Sequence, residues 1–87
     1  MHAVVVRVTI NDEEPALATL RGEIVPRISQ APGFVAGDWT RKDNNGLSMV
    51  VFESEEAAQQ ATERVRANVP EAVTLDSVEV REVVESA

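Results

Sequence analysis

The stretch Gly46-Leu47-Ser48-Met49-Val50-Val51-Phe52-Glu53 constrains the fold more than any other, because it reads as a β-strand that is apolar on both faces. Side chains alternate along a strand, so Leu47, Met49 and Val51 point one way while Val50 and Phe52 point the other. Such a strand must be covered twice, and the chain holds only two helical stretches to do it. With 87 residues, 44% of them hydrophobic, residues 1–87 make one domain with one core.

His2 to Ile10 alternates as a strand, with His2, Val4, Val6, Val8 and Ile10 on one face and Ala3, Val5, Arg7 and Thr9 on the wetter one. Asn11 or Asp12 caps a first helix, and Asn11 with Glu14 has capping-box spacing. Leu17, Leu20, Ile24 and Ile28 form its apolar stripe, and Pro26 should kink or end it, since proline lacks a donor and its ring presses on the Gly22 carbonyl. Ala31-Pro32-Gly33 turns out of the helix, and Phe34 to Lys42 is a second strand. Asn45-Gly46 has the composition of a type I′ hairpin turn. A two-residue turn there pairs 39 with 52 and 41 with 50, placing Trp39 beside Phe52 on the helix side; a bulge or odd-length loop would turn Trp39 to the opposite face. Ser54 caps a second helix running to about Asn68 and stopped by Pro70, with Ala57 or Ala58, Ala61 and Val65 facing inward. The last strand is Val73 to Val84, with Val78, Val80 and Val84 on one face and Ser77, Glu79, Arg81 and Val83 on the other.

Composition removes several classes of chemistry. Without cysteine there are no disulfides, thiolate metal sites, iron–sulfur clusters or cysteine nucleophiles. A formal charge of −7 argues against nucleic acid and anionic membranes, which require a concentrated positive patch. The acids open helices instead, with Asp12, Glu13 and Glu14 before the first and Glu55 and Glu56 before the second. Neither a leader-like segment nor a long apolar run is read, so the expected location is cytoplasmic. His2, the only histidine, sits beside the initiator methionine and reads as an exposed terminal residue, so no metal is expected. Gly33, Gly37 and Gly46 lack phosphate-loop spacing and read as turn and strand residues.

The order strand, helix, strand, hairpin, strand, helix, strand is that of an α+β, ferredoxin-like βαββαβ domain with a four-stranded antiparallel sheet. Right-handed crossovers put both helices on one side, leaving Val5, Leu47, Met49, Val51 and Val83 on the other. Covering these five would contribute on the order of 8–15 kcal/mol against an association cost of roughly 4–15 kcal/mol. A homodimer through this face is therefore expected. Arg7, Glu79 and Arg81 would then form an ion network near the interface or, alternatively, an anion clamp.

The chain resembles the dimeric α+β-barrel family that includes the antibiotic biosynthesis monooxygenases and the haem-degrading monooxygenases. Three features carry the likeness: Val25-Pro26 to Pro32-Gly33-Phe34 with Gly37 beyond, the hairpin, and Phe52-Glu53-Ser54-Glu55-Glu56-Ala57. The resemblance implies two protomers packed sheet to sheet with helices outside. Haem-degrading members use an asparagine on the first strand, where this chain has Val6. They also use a tryptophan and a histidine on the second helix, where it has Ala58, Ala61 and Thr62. Quinone-forming members use polar and aromatic side chains; this chain has no tyrosine, and of the aromatic candidates Trp39 remains.

Two functions follow as expectations. One is a homodimeric accessory protein binding a small apolar or aromatic molecule without a cofactor, favoured by the lack of polar groups on the helix-facing sides of the strands. The alternative is a cofactor-independent monooxygenase acting on a small aromatic substrate. The candidate ligand-binding residues are Trp39, Phe52, Arg41 and Val6, with Arg41 able to hold an anionic oxygen.

Overall fold

In the computed structural model, which describes residues 1–87, the chain runs β1 (His2–Ile10), α1 (Glu13–Thr19), a π-helical turn (Leu20–Ile24), α2 (Val25–Ser29), β2 (Phe34–Lys42), β3 (Asn45–Phe52), α3 (Glu55–Ala67) and β4 (Val73–Glu82). The strands form one antiparallel sheet in the order β2-β3-β1-β4. The architecture is α+β and ferredoxin-like. β1 and β3, the strands richest in aliphatic side chains, take the two central places, where both neighbours satisfy their backbone groups.

The core forms where α3 meets the centre of the sheet. Val4, Val50, Phe52, Ala58 and Ala61 are buried together, with Phe52 and Val4 the largest side chains wholly inside. Ala58 and Ala61 have only a methyl group each, so α3 settles close to β1 and β3. Ser54 starts α3 as its composition predicts, its Oγ accepting from the Ala57 N–H at 3.1 Å. Phe34 meets Phe52 edge-to-face, with ring centroids 6.3 Å apart.

The hairpin turns two residues earlier than its Asn-Gly signal suggests. Lys42 pairs with Asn45 and Arg41 with Gly46, so the turn is Asp43-Asn44, and Trp39 lies opposite Ser48 rather than Phe52. Asp43 alone among non-glycine residues has a positive φ, 54°, whereas a type I′ turn needs it at both central positions. Gly46 is used for space, because a Cβ there would lie 2.7 Å from Val8 Cγ2. The displacement is an even number of residues, so every side chain keeps its face and Trp39 remains on the helix side.

The first helical arm also departs from expectation. Pro26 neither breaks nor ends it: the π-helical turn widens the helix just before the proline, the Val25 N–H donates to Leu20, and helix resumes to Ser29. No capping box forms. Asp12 stands at the N-cap without a side-chain bond, and Asn11 Nδ2 instead donates to Thr74 Oγ1 at 2.9 Å. β4 stops at Glu82, so Val83 and Val84 lie past the sheet, and Val84 is exposed. A register shift between Arg7 and Val8 leaves Asp76 unpaired in the β1–β4 ladder.

Two glycines on the arm and its exit predict opposite effects. Gly33 has φ 79° and its Cβ would sit 3.0 Å from that of Ala57, so Gly33→Ala should destabilise by about 1–3 kcal/mol. Nothing lies within 4 Å of a Cβ at the helical Gly22, so Gly22→Ala should stabilise by roughly 0.5–1 kcal/mol. Urea denaturation of both variants checks the pair of signs.

Candidate functional site

The first helical arm covers the rest of the sheet face with larger side chains than α3 does. Leu17, Leu20, Ile24 and Ile28 project from it at helical spacing. Between this arm, α3 and the sheet lies a cavity of about 250 Å3. Its walls are predominantly aliphatic, with Val4, Val6 and Val8 from β1 on its floor and Leu20 and Ile24 on its roof. This is slightly below the roughly 300–1,000 Å3 of ordinary small-molecule pockets.

Val6, Trp39, Arg41 and Phe52 all line this one cavity. Alternation explains the grouping: 39 and 41 share a face of β2, and their cross-strand partners 48 and 46 share the same face of β3 as 50 and 52. Phe52 is wholly buried and forms part of the floor. Trp39 is half-buried and lies along its own strand over Gly37, where a Cβ would come within 2.9 Å of the indole Cη2. The missing side chain at Gly37 is what lets the ring lie flat at the cavity wall. Arg41 stands at the exposed hairpin end and is ion-paired with Glu13 at the start of α1.

Five polar lining residues escape the sequence reading, and two of them, Thr40 and Asn68, are engaged within the chain, Thr40 Oγ1 donating to the Leu47 carbonyl and Asn68 Nδ2 to that of Arg64. Ser48 is buried on the helix-facing side of β3, and no hydrogen bond within the chain holds its hydroxyl. It contradicts the expectation that this side of the strands carries no polar group. Strand parity alone identifies it, since 48, 50 and 52 must share a face. Arg27 of α2 and Arg64 of α3 also reach the lining, as helix-borne residues flanking apolar stripes whose long stems can cover aliphatic surface. No aspartate, glutamate or histidine lines the cavity.

The remaining candidates lie elsewhere. His2 is not an exposed terminal residue: it is half-buried on the helix-facing side, with Nε2 3.5 Å from Glu55 and Nδ1 buried without a partner. The β1 register draws it under the start of α3. On the opposite sheet face Arg81 pairs with Glu79 at 2.8 Å, while Arg7 joins no ion pair and sits with Arg81 and Asp38 around a shallow depression. Leu47 and Met49 are exposed on that face at 40% and 48%, but Val5 is already buried within the protomer. No group of three His, Cys, Asp or Glu side chains is placed to hold a metal ion, and no helix is long and apolar enough to cross a membrane.

No protein-family model and no curated protein matches this chain. Among solved structures it is similar to that of the heme-degrader MhuD from Mycobacterium tuberculosis, determined with two hemes bound in its active site. The two are 21% identical over 97% of this chain and 98% of that one, with a TM-score of 0.53. That likeness shows the fold. The lining residues have to carry the chemistry on their own.

Stability measurements can separate the wall from the floor of the cavity. Phe52→Ala should cost about 3–5 kcal/mol, because it empties the centre of the core. Ser48→Ala should cost less than about 1 kcal/mol, since no hydrogen bond is lost. A large loss for Ser48→Ala in denaturant titration would mean that its hydroxyl has a structural partner.

Proposed function

We propose that the chain binds a small apolar or aromatic molecule in the cavity beneath the first helical arm, and that two copies pair through the opposite sheet face. The observation that supports the binding reading is the cavity itself, an aliphatic chamber of about 250 Å3 with an aromatic wall and a few convergent polar groups. The indole of Trp39 reports on it directly. Titration with small aromatic and aliphatic ligands should change Trp39 fluorescence saturably and raise the melting temperature. Trp39→Phe should preserve the fold and weaken aromatic ligands; unchanged binding with a lowered melting temperature would make Trp39 packing alone.

A second reading is a cofactor-independent monooxygenase acting on an electron-rich phenol, favoured by an arginine and an aromatic ring beside one cavity. In the reaction one atom of dioxygen enters the ring carbon para to the phenolic oxygen, the other leaves as water, and the phenol, oxidised to the quinone, supplies all the electrons. With no carboxylate or imidazole in the lining, the substrate would have to bind as the phenolate, with Arg41 opposite its oxygen. Dioxygen uptake with electron-rich phenols that carry hydrogen para to the hydroxyl, yielding the quinone and water and lost in Arg41→Gln, distinguishes this reading from binding alone.

Haem is a poor fit to the same space. Protein axial ligands to haem iron are commonly His, Cys, Met or Tyr, and the lining offers none of them. The inner side of α3 is Ala58, Ala61 and Thr62, closely packed or bonded within the helix. Ferric haem should therefore give no saturable one-to-one Soret shift; a sharp shift abolished by a substitution on α3 would contradict this reading.

Dimerisation rests on the exposed Leu47 and Met49 at the middle of the open face, with Val51 beside them. The gain is smaller than five whole side chains, because Val5 is already covered and Val83 lies beyond β4. The protein should sediment as a dimer at micromolar concentration, and Met49→Lys should give folded monomer. A wild-type monomer at high concentration would contradict the pairing.

A further inference from the structure

We infer that the cavity selects amphiphilic carboxylates, taking the apolar body between Val6, Leu20 and Phe52 and the carboxylate at Arg41 and Arg64. This rests on the small-molecule reading above and names the class of ligand. The first observation is the distribution of charge. The chain carries 15 acidic and 8 basic residues, yet three of the basic ones, Arg27, Arg41 and Arg64, reach the cavity and none of the acidic ones does. All three are exposed at the rim of the cavity, and that one-sided set favours an anion over a neutral or cationic head group.

The second observation is partnership. Neither Arg27 nor Arg64 has a carboxylate partner within the chain, although acids outnumber bases nearly two to one. Arg41 has one, Glu13, and it comes from outside the lining. Glu13 is thus a carboxylate already docked on Arg41 from the solvent side, at an exposed pair whose net contribution to stability is small. A ligand carboxylate arriving from the cavity can take its place at little cost. The planar guanidinium fork suits such an exchange because it binds carboxylates in two parallel hydrogen bonds.

The third observation is placement. Arg41 lies opposite Gly46, and Gly46 opposite Val8, which puts Arg41 at the hairpin end of the sheet. Arg64 belongs to the last turns of α3, which lead through Pro70 to Val73, opposite Ile10 at that same end. The chamber then runs toward Phe52 and Val4 at the other end without a carboxylate on its walls. Two of the three lining arginines, Arg41 and Arg64, thus stand at the hairpin end, whereas Arg27, on α2 leading into Phe34 opposite Phe52, stands toward the other, with Ser48 partway along.

Decanoate, its neutral isostere decanamide and decylammonium, titrated against Trp39 fluorescence at low salt, test the assignment on the whole chain. Decanoate should bind about tenfold or more tighter than decanamide, and decylammonium weakest, with the difference shrinking as salt rises. Arg41→Gln and Arg64→Gln should each bring decanoate toward decanamide while weakening decanamide far less, and the decanamide binding that remains reports that the chamber is intact. Glu13→Gln should tighten decanoate and not decanamide, a gain that misfolding cannot imitate. Equal affinities for decanoate and decanamide, or a Glu13→Gln variant no tighter for decanoate, would overturn the carboxylate assignment and leave the small-molecule reading standing. Absence of binding by all three to folded protein would overturn both.

Discussion

The contact of Ala58 and Ala61 with Val4, Val50 and Phe52 is the packing on which the rest of the core is built. Two methyl groups bring α3 down until Phe52 is sealed. The other arm carries leucine and isoleucine at its inward positions, and these line the cavity. One face of one sheet is thus covered by small side chains from α3 and large ones from the other arm, and the cavity lies between them. Its existence follows from side-chain volume on two helices, before any question of what occupies it.

Pro26 explains the arm's irregular backbone. A regular helix carrying Pro26 would lose a hydrogen bond to the carbonyl four residues earlier and press its ring against it. The π-helical turn at Leu20–Ile24 takes up this mismatch locally, so Leu20, Ile24 and Ile28 can all still face the chamber. The arm is tied down chiefly at its ends, by backbone bonds from Asn11 and Asp12 to Ala72 and by the Gly33 carbonyl accepting from Glu53 at 2.8 Å. Between those anchors, its hold on the sheet includes the exposed Glu13–Arg41 pair.

Much of the architecture was legible in the order of strands and helices and in their alternation. Parity placed Val6, Trp39, Arg41 and Phe52 on one face, and it survived a hairpin turn that formed at Asp43-Asn44 instead of Asn45-Gly46, because the displacement was even. The turn itself was misread because a glycine serves two purposes, positive φ and the absence of a side chain, and Gly46 serves the second against Val8. His2 was misread because nearness to the chain start says nothing of burial under α3. Ser48 was recoverable from parity and passed over in a run of aliphatics. Arg27 and Arg64 were not recoverable, since a long side chain at the border of a helical stripe can turn to either side, and only the packing of the helices decides which.

The central claim is that the space between the two helical arms is a chamber open to an apolar guest. Methyl-resolved NMR under xenon pressure tests it most directly, because xenon enters apolar cavities of this kind without requiring any polar group. The account predicts saturable shifts at the methyls of Val4, Val6, Val8, Leu20 and Val50, with Met49 and Val51 on the opposite face unaffected. Shifts of equal size on both faces, or none at the cavity methyls, would contradict it.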